Sequence, residues 1–143
     1  MAANESAAVG ALRTFNALEN QYAAAHADRG FACEFRLLQK TEQRGGVAAR
    51  NLTEALSGKS CGYNFAFIGC AADGDGIVAH YQVAAVPVKP GVTGLRAFCT
   101  DQTSVLFYDD EASTSQCLAS RQTVPERLRY KGRCPSTWHL GDA

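Results

Sequence analysis

The residues of this chain whose types and spacing could do chemistry are, first, its six cysteines: Cys33, Cys61, Cys70, Cys99, Cys117 and Cys134. No two form a Cys-x-x-Cys pair, so neither a thioredoxin-like redox motif nor a zinc knuckle is available. An even count at wide spacing favours disulfides made in an oxidising compartment over six reduced core thiols. Spacing alone leaves the connectivity open.

The remaining candidates are weaker. Gly58-Lys59-Ser60 matches the end of a phosphate-binding loop, but the first glycine of that loop would fall at Thr53. A turn leading into a strand explains it better. Asp73-Gly74-Asp75-Gly76 resembles the start of a calcium loop, yet the next ligand position holds Ile77 and the required glycine position holds Val78. It therefore reads as a hairpin turn. His26, His80 and His139 share no metal-ligand spacing, and no nucleophile-elbow motif accompanies them. No catalytic constellation emerges, and the expectation is a protein that is not an enzyme, with no cofactor, no bound metal and no catalytic residue.

Composition is that of an ordinary globular domain. A length of 143 residues suffices for one domain with a core, 46% of residues are apolar, and the formal net charge is zero. Nothing in that balance suggests a nucleic-acid partner. The longest apolar run falls well short of the roughly 20 residues that span a bilayer. Neither a basic leader nor an apolar signal segment follows Met1. Disulfides without an export signal predict a chain that begins inside a longer helix, its N-terminal part removed.

The elements that must position these residues follow from periodicity. Ala8, Leu12, Phe15, Leu18, Tyr22 and Ala25 recur at steps of three or four, predicting a helix over 1–29 with one buried stripe and Gly30 as its left-handed cap. Residues 30–62 read as a connecting αβ region, with a short second helix over Val47–Leu56. From Tyr63 the period turns toward two. Strands are expected from Tyr63, over Ile77–Val88, over Leu95–Thr100 and over Ser104–Tyr108, forming an antiparallel meander over 63–108. Residues 109–143 show no period and are expected to be irregular. The fold class is then α+β, a single domain over 1–143 with a long N-terminal helix packed on an antiparallel sheet of about four strands.

Several segments also carry a family signal. Met1 to Thr14, with its Asn4-Glu5, Ala8-Val9 and Leu12-Arg13-Thr14, leads by a helix to Tyr22. It resembles the helical segment after the membrane-embedded start of type IV pilin-like proteins of the acidobacterial type. Ser60-Cys61-Gly62-Tyr63-Asn64-Phe65 is similar to that family's first-strand entry, the segment from Tyr81 to Gly94 to its second strand and turn, and Arg96-Ala97-Phe98-Cys99-Thr100-Asp101 to its third strand. The resemblance runs from Met1 to about Cys117. The family's basic leader, prepilin-peptidase site and apolar half-helix are not in the sequence, and residues 124–143 have no counterpart.

The resemblance implies a pilin fold and a structural subunit of a type IV pilus or pilus-like filament, with Ala8, Leu12, Phe15, Leu18 and Tyr22 as the core and assembly face of the helix. It implies copies of the same chain as partners, together with pilus or secretion assembly machinery, and membrane contact only through the upstream segment. Before assembly the globular part would lie in the periplasm, anchored at the inner membrane; afterwards it would belong to an extracellular filament (fimbrium). The alternative is a minor pilin or type II secretion pseudopilin acting in adhesion, DNA uptake or protein secretion. Some pseudopilins bind calcium near the C-terminus. Asp101, Asp109, Asp110 and Glu111 form the comparable cluster here, with solvated loop charges as the simpler reading.

C-terminal disulfide loops are common in that family, and the expectation here is a Cys99–Cys117 bridge that pins the polar segment after the fourth strand to the sheet. Its closure would contribute about 3 kcal/mol by the chain-entropy estimate. Cys33 is expected to pair with Cys61 or Cys70, and Cys70, which ends a strand near the returning connection, is preferred; Cys61 and Cys134 then remain as candidates for a third bridge. Peptide mapping without reduction is expected to show a Cys99–Cys117 linked peptide. A free thiol at Cys99, or a link to another cysteine, overturns the assignment.

Overall fold

Alanine, leucine and glutamate, with no proline, carry one continuous 24-residue helix, α1 (Ala2–Ala25). The computed structural model describes residues 2–39, 59–60 and 62–125. Helix α1 stops where its last carbonyls find other donors: the amide of His26 bonds to the Tyr22 carbonyl at 2.9 Å, and the amide of Gly30 to the His26 carbonyl at 2.9 Å. Gly30 has φ +80° and lies against the backbone of Val78, so a side chain would be strained and would clash there.

Six strands form one antiparallel sheet in chain order: β1 (Lys59–Ser60), β2 (Tyr63–Cys70), β3 (Tyr81–Pro87), β4 (Ala97–Asp101), β5 (Leu106–Asp109) and β6 (Gln122–Thr123). Four of these, β2 to β5, are the expected meander. The other two are two-residue strands at the edges, too short to have a period. Such short edges offer little backbone for strand addition by another chain. Residues 109–125 are not irregular, contrary to the sequence reading. They contain β6 and helix α2 (Thr114–Ser120), capped by the Ser113 hydroxyl, which accepts from the Gln116 amide at 3.3 Å. One turn of apolar repeat is lacking because α2 buries only Cys117. The expected helix over Val47–Leu56 lies outside the described residues; residues 35–39 are helical.

Alternation sorts the strands into two faces. Tyr63, Phe65, Tyr81, Val83, Ala85 and Phe98 turn toward α1 and join Leu12, Phe15 and Leu18 in the main core. Ala84, Cys99 and Phe107 turn the other way and pack with Cys117 of α2. The pairing of β2 with β3 slips between Phe67 and Gly69, so Ile68 is an extra residue and Cys70 stands opposite Tyr81. Strict alternation from Tyr63 would send Cys70 to the α2 side. The bulge returns it to the α1 side.

Ala8, Leu12, Phe15 and Leu18 are wholly buried and Tyr22 nearly so, whereas Ala25 is exposed. The Phe15 ring lies 5.3 Å from Phe35 and 5.7 Å from Phe65, in the usual range of aromatic contacts. Leu12→Asp is expected to lower the unfolding free energy by on the order of 4 kcal/mol, because the carboxylate would be buried without a partner. Urea unfolding of parent and variant checks this; equal midpoints would refute the packing.

Candidate functional site

Four polar residues share the buried face of α1 with the apolar stripe: Asn4, Glu5, Asn16 and Glu19. The apolar repeat gives Glu5, Asn16 and Glu19 no structural role, because it passes over polar members. Their positions were a usable signal. Asn16 and Glu19 stand four and seven residues after Leu12, so they had to face the sheet.

Asn4 and Glu5 clamp the segment that enters β4. The Asn4 side-chain amide donates to the Thr93 carbonyl at 2.9 Å. Glu5 Oε2 accepts from the backbone amides of Leu95 and Arg96, both at 3.0 Å. Arg96 adds a Nη1 contact to Glu5 Oε1 at 3.6 Å, places its Nε 3.1 Å from Asp110 Oδ1 and lies over the Tyr108 ring. Tyr63 donates to the Arg96 carbonyl at 2.7 Å, and its ring occupies the space a Cβ at Gly94 would need. Burial, with the Glu5 carboxylate second, pushes the Tyr63 phenol above the usual tyrosine range, so it stays a donor.

Asn16 joins α1 to two strands at once. Tyr81 donates to Asn16 Oδ1 at 2.6 Å, Asn16 Nδ2 donates to Thr100 Oγ1 at 2.9 Å, and Thr100 donates to the Val105 carbonyl at 2.9 Å. Each member of this chain is satisfied, which is the condition for a buried network to stabilise.

Glu19 is different. Its Oε1 accepts from the Ala32 amide at 2.7 Å, while its buried Oε2 has no partner among the described residues. Burial raises its pKa from 4.5 to about 8, and the Ala32 hydrogen bond offsets this only in part. Glu19 is thus a neutral carboxylic acid at pH 7.

The cysteines are joined as Cys99–Cys117, with Cα atoms 6.2 Å apart, and as Cys33–Cys70, with Cα atoms 5.6 Å apart. Cys61 and Cys134 lie outside the described residues. Disulfides of this kind belong to an oxidising, non-cytoplasmic environment. Cys99 and Cys117 are fully buried, whereas Cys33 and Cys70 are half-buried.

Other candidates are spread apart. His26 stacks on Tyr22 with ring centroids 4.1 Å apart, His80 is exposed on the segment before β3, and His139 lies outside the described residues. Lys59 and Ser60 form β1. Asp73 Oδ1 accepts from the amides of Asp75 and Ile77, Asp101 Oδ1 from the Thr103 amide, and Asp109 Oδ2 from those of Glu111 and Ser113. These carboxylates close their own turns. Among the described residues no group of three or more His, Cys, Asp or Glu could hold a metal ion, and no helix is long and apolar enough to cross a membrane.

Compared with known proteins, the chain matches no family model, no curated protein and no solved structure.

Glu19 makes stability depend on pH in a defined direction. Between pH 4.5 and about 8 the folded chain keeps a proton that the unfolded chain has released. The stabilisation is complete below pH 4.5 and is lost as pH rises to about 8, by on the order of 5 kcal/mol. Glu19→Gln keeps the acceptor for Ala32 and removes the titration. Urea unfolding from pH 4.5 to 9 is expected to show the variant gaining on the parent as pH rises. A constant difference across that range would refute the assignment.

Proposed function

We propose that this chain is a structural subunit of a type IV pilus or pilus-like filament, with the pilin fold and an exported globular part. One observation carries the reading. The segments that resemble the pilin-like family meet in a single seam: Asn4 and Glu5 of α1 hold residues 93–96, and Tyr63 at the start of β2 holds Arg96 at the start of β4. Residues brought together by direct bonds form one structural unit rather than unrelated short matches.

Two further features support it. Ala3, Gly10, Ala17 and Ala24 recur every seven residues on the face of α1 turned from the sheet, the three alanines exposed and Gly10 half-buried. Small residues on that face let a neighbouring helix approach closely, as helical assemblies require. The polar anchors on the opposite face keep α1 on its own sheet while the outer face engages copies of the chain. The buried bridge of α2 fits a subunit that works outside the reducing cytosol.

The reading carries an apolar helical extension upstream of α1, whose coding sequence is the direct check. Expressed from its full gene in its own host, the protein is expected to appear as filaments in electron micrographs. Ala17→Arg is expected to abolish them while leaving the thermal midpoint of the isolated domain within a few degrees, since this position is exposed. Filaments unaffected by Ala17→Arg, or a full-length protein that never assembles, would overturn the proposal.

A further inference from the structure

The two described bridges differ in what they hold and in who can reach them. Cys99–Cys117 lies sealed between α2 and the sheet, with both residues fully buried and Phe107 packed beside them. Cys33–Cys70 stands half-buried at the end of β2, on the α1 side. It ties down an arm, residues 31–39, that follows Gly30 and packs back along α1 at Glu19 and Phe15.

That arm completes part of the core. Phe31 sets its ring edge-on to Tyr81 at 4.9 Å, and Phe35 lies 5.3 Å from Phe15 and 4.8 Å from Phe67. Leu38 is fully buried. Among the described residues the Ala32 amide supplies the one hydrogen bond to Glu19, whose other oxygen has none. The arm therefore covers a buried acid that is incompletely satisfied, and water would satisfy it better. Closure is opposed at this point by the group it covers.

We propose that Cys33–Cys70 is a redox-operated latch on this arm, opened by a thiol–disulfide oxidoreductase while Cys99–Cys117 stays closed. A thiolate of the dithiol partner attacks one sulfur of the bridge, and the other leaves as a thiolate and takes up a proton. The partner's second thiol then displaces the mixed disulfide. The chain gains two electrons and two protons as the thiols of Cys33 and Cys70, and the partner is left as a disulfide. With the latch open, the pivot lies just past Phe31: Gly30 stays on the helix end through its hydrogen bond to His26, and Phe31 stays on Val78 through its amide. Glu19 then meets water, and its carboxyl ionises at neutral pH. The charge so formed opposes return of the arm until the bridge is remade.

Graded reduction with dithiothreitol at pH 7, followed by alkylation and peptide mass spectrometry, tests the first half. Cys33 and Cys70 are expected to label at reductant concentrations at least about tenfold below those that label Cys99 and Cys117, since exchange needs access to sulfur. Simultaneous labelling, or earlier labelling of Cys99 and Cys117, overturns it. Amide hydrogen exchange on the same partly reduced sample tests the second half. The amides of Ala32 and Leu38 are expected to exchange at least about tenfold faster, while those of β3 and β4 keep their protection. Unchanged arm protection with an open bridge refutes the latch, as does loss of protection throughout the sheet. The Cys33→Ser/Cys70→Ser double variant is expected to reproduce the exchange of the reduced arm without reductant. In that background Glu19→Gln is expected to slow arm exchange again; no slowing would remove Glu19 from the device.

Discussion

The hydrogen bonds from Asn16 to Tyr81 and Thr100 set the position of α1 on the sheet. Hydrophobic contact is non-directional, and an apolar stripe by itself tolerates small slides and rotations of an alanine-rich helix at little loss of buried area. A buried amide cannot, because a shift would strand Asn16, Tyr81 and Thr100 together, each at a cost of about 1–3 kcal/mol. Asn4 and Glu5 repeat the device three turns upstream, at the loop before β4. The apolar stripe makes the helix adhere, and the polar residues determine where. Once α1 is so placed, Phe15 reaches Phe35 and Phe65, and Glu19 reaches the arm that follows the helix.

Across the sheet a different solution operates. Helix α2 has seven residues, too few to persist by backbone hydrogen bonding alone. Its hydroxyl cap, its left-handed end at Arg121 and the bond from Cys117 to Cys99 hold it against Ala84 and Phe107. The apolar contribution on this side is small, and the covalent link carries more of the burden. Among the described residues the α1 face thus combines a large core with a bridge at its margin, and the α2 face a small cluster held by its bridge.

The elements legible in the sequence were those with several periods: α1 from its three-four repeat, and β2 to β5 from alternation and turn residues. The boundaries moved where the backbone obeyed local contacts instead. β3 begins at Tyr81, not Ile77, because Asp73 closes a turn through the Ile77 amide and Val78 pairs with the chain at Gly30. Helix α2 and the two edge strands were illegible because elements of seven and two residues hold no repeat. In the seam, the apolar members followed from spacing. Asn4, Glu5, Asn16 and Glu19 had spacing just as clear, but their chemistry depends on what faces them across the sheet. A sequence does not list those partners.

The bulge at Ile68 divides β2 into two stretches that obey opposite parity rules. From Tyr63 to Phe67 the odd positions meet the helix; beyond the bulge the even position, Cys70, does. Selection on this strand therefore acts on chain length as strictly as on residue type. Gain of one more residue between Phe67 and Cys70, with every existing amino acid unchanged in kind, would turn the thiol of Cys70 to the opposite surface and leave Cys33 without its mate, whereas loss of Ile68 would only straighten the strand. In descendants of this chain, insertions between Phe67 and Cys70 should be scarcer than substitutions at the exposed Ala66 or Asn64.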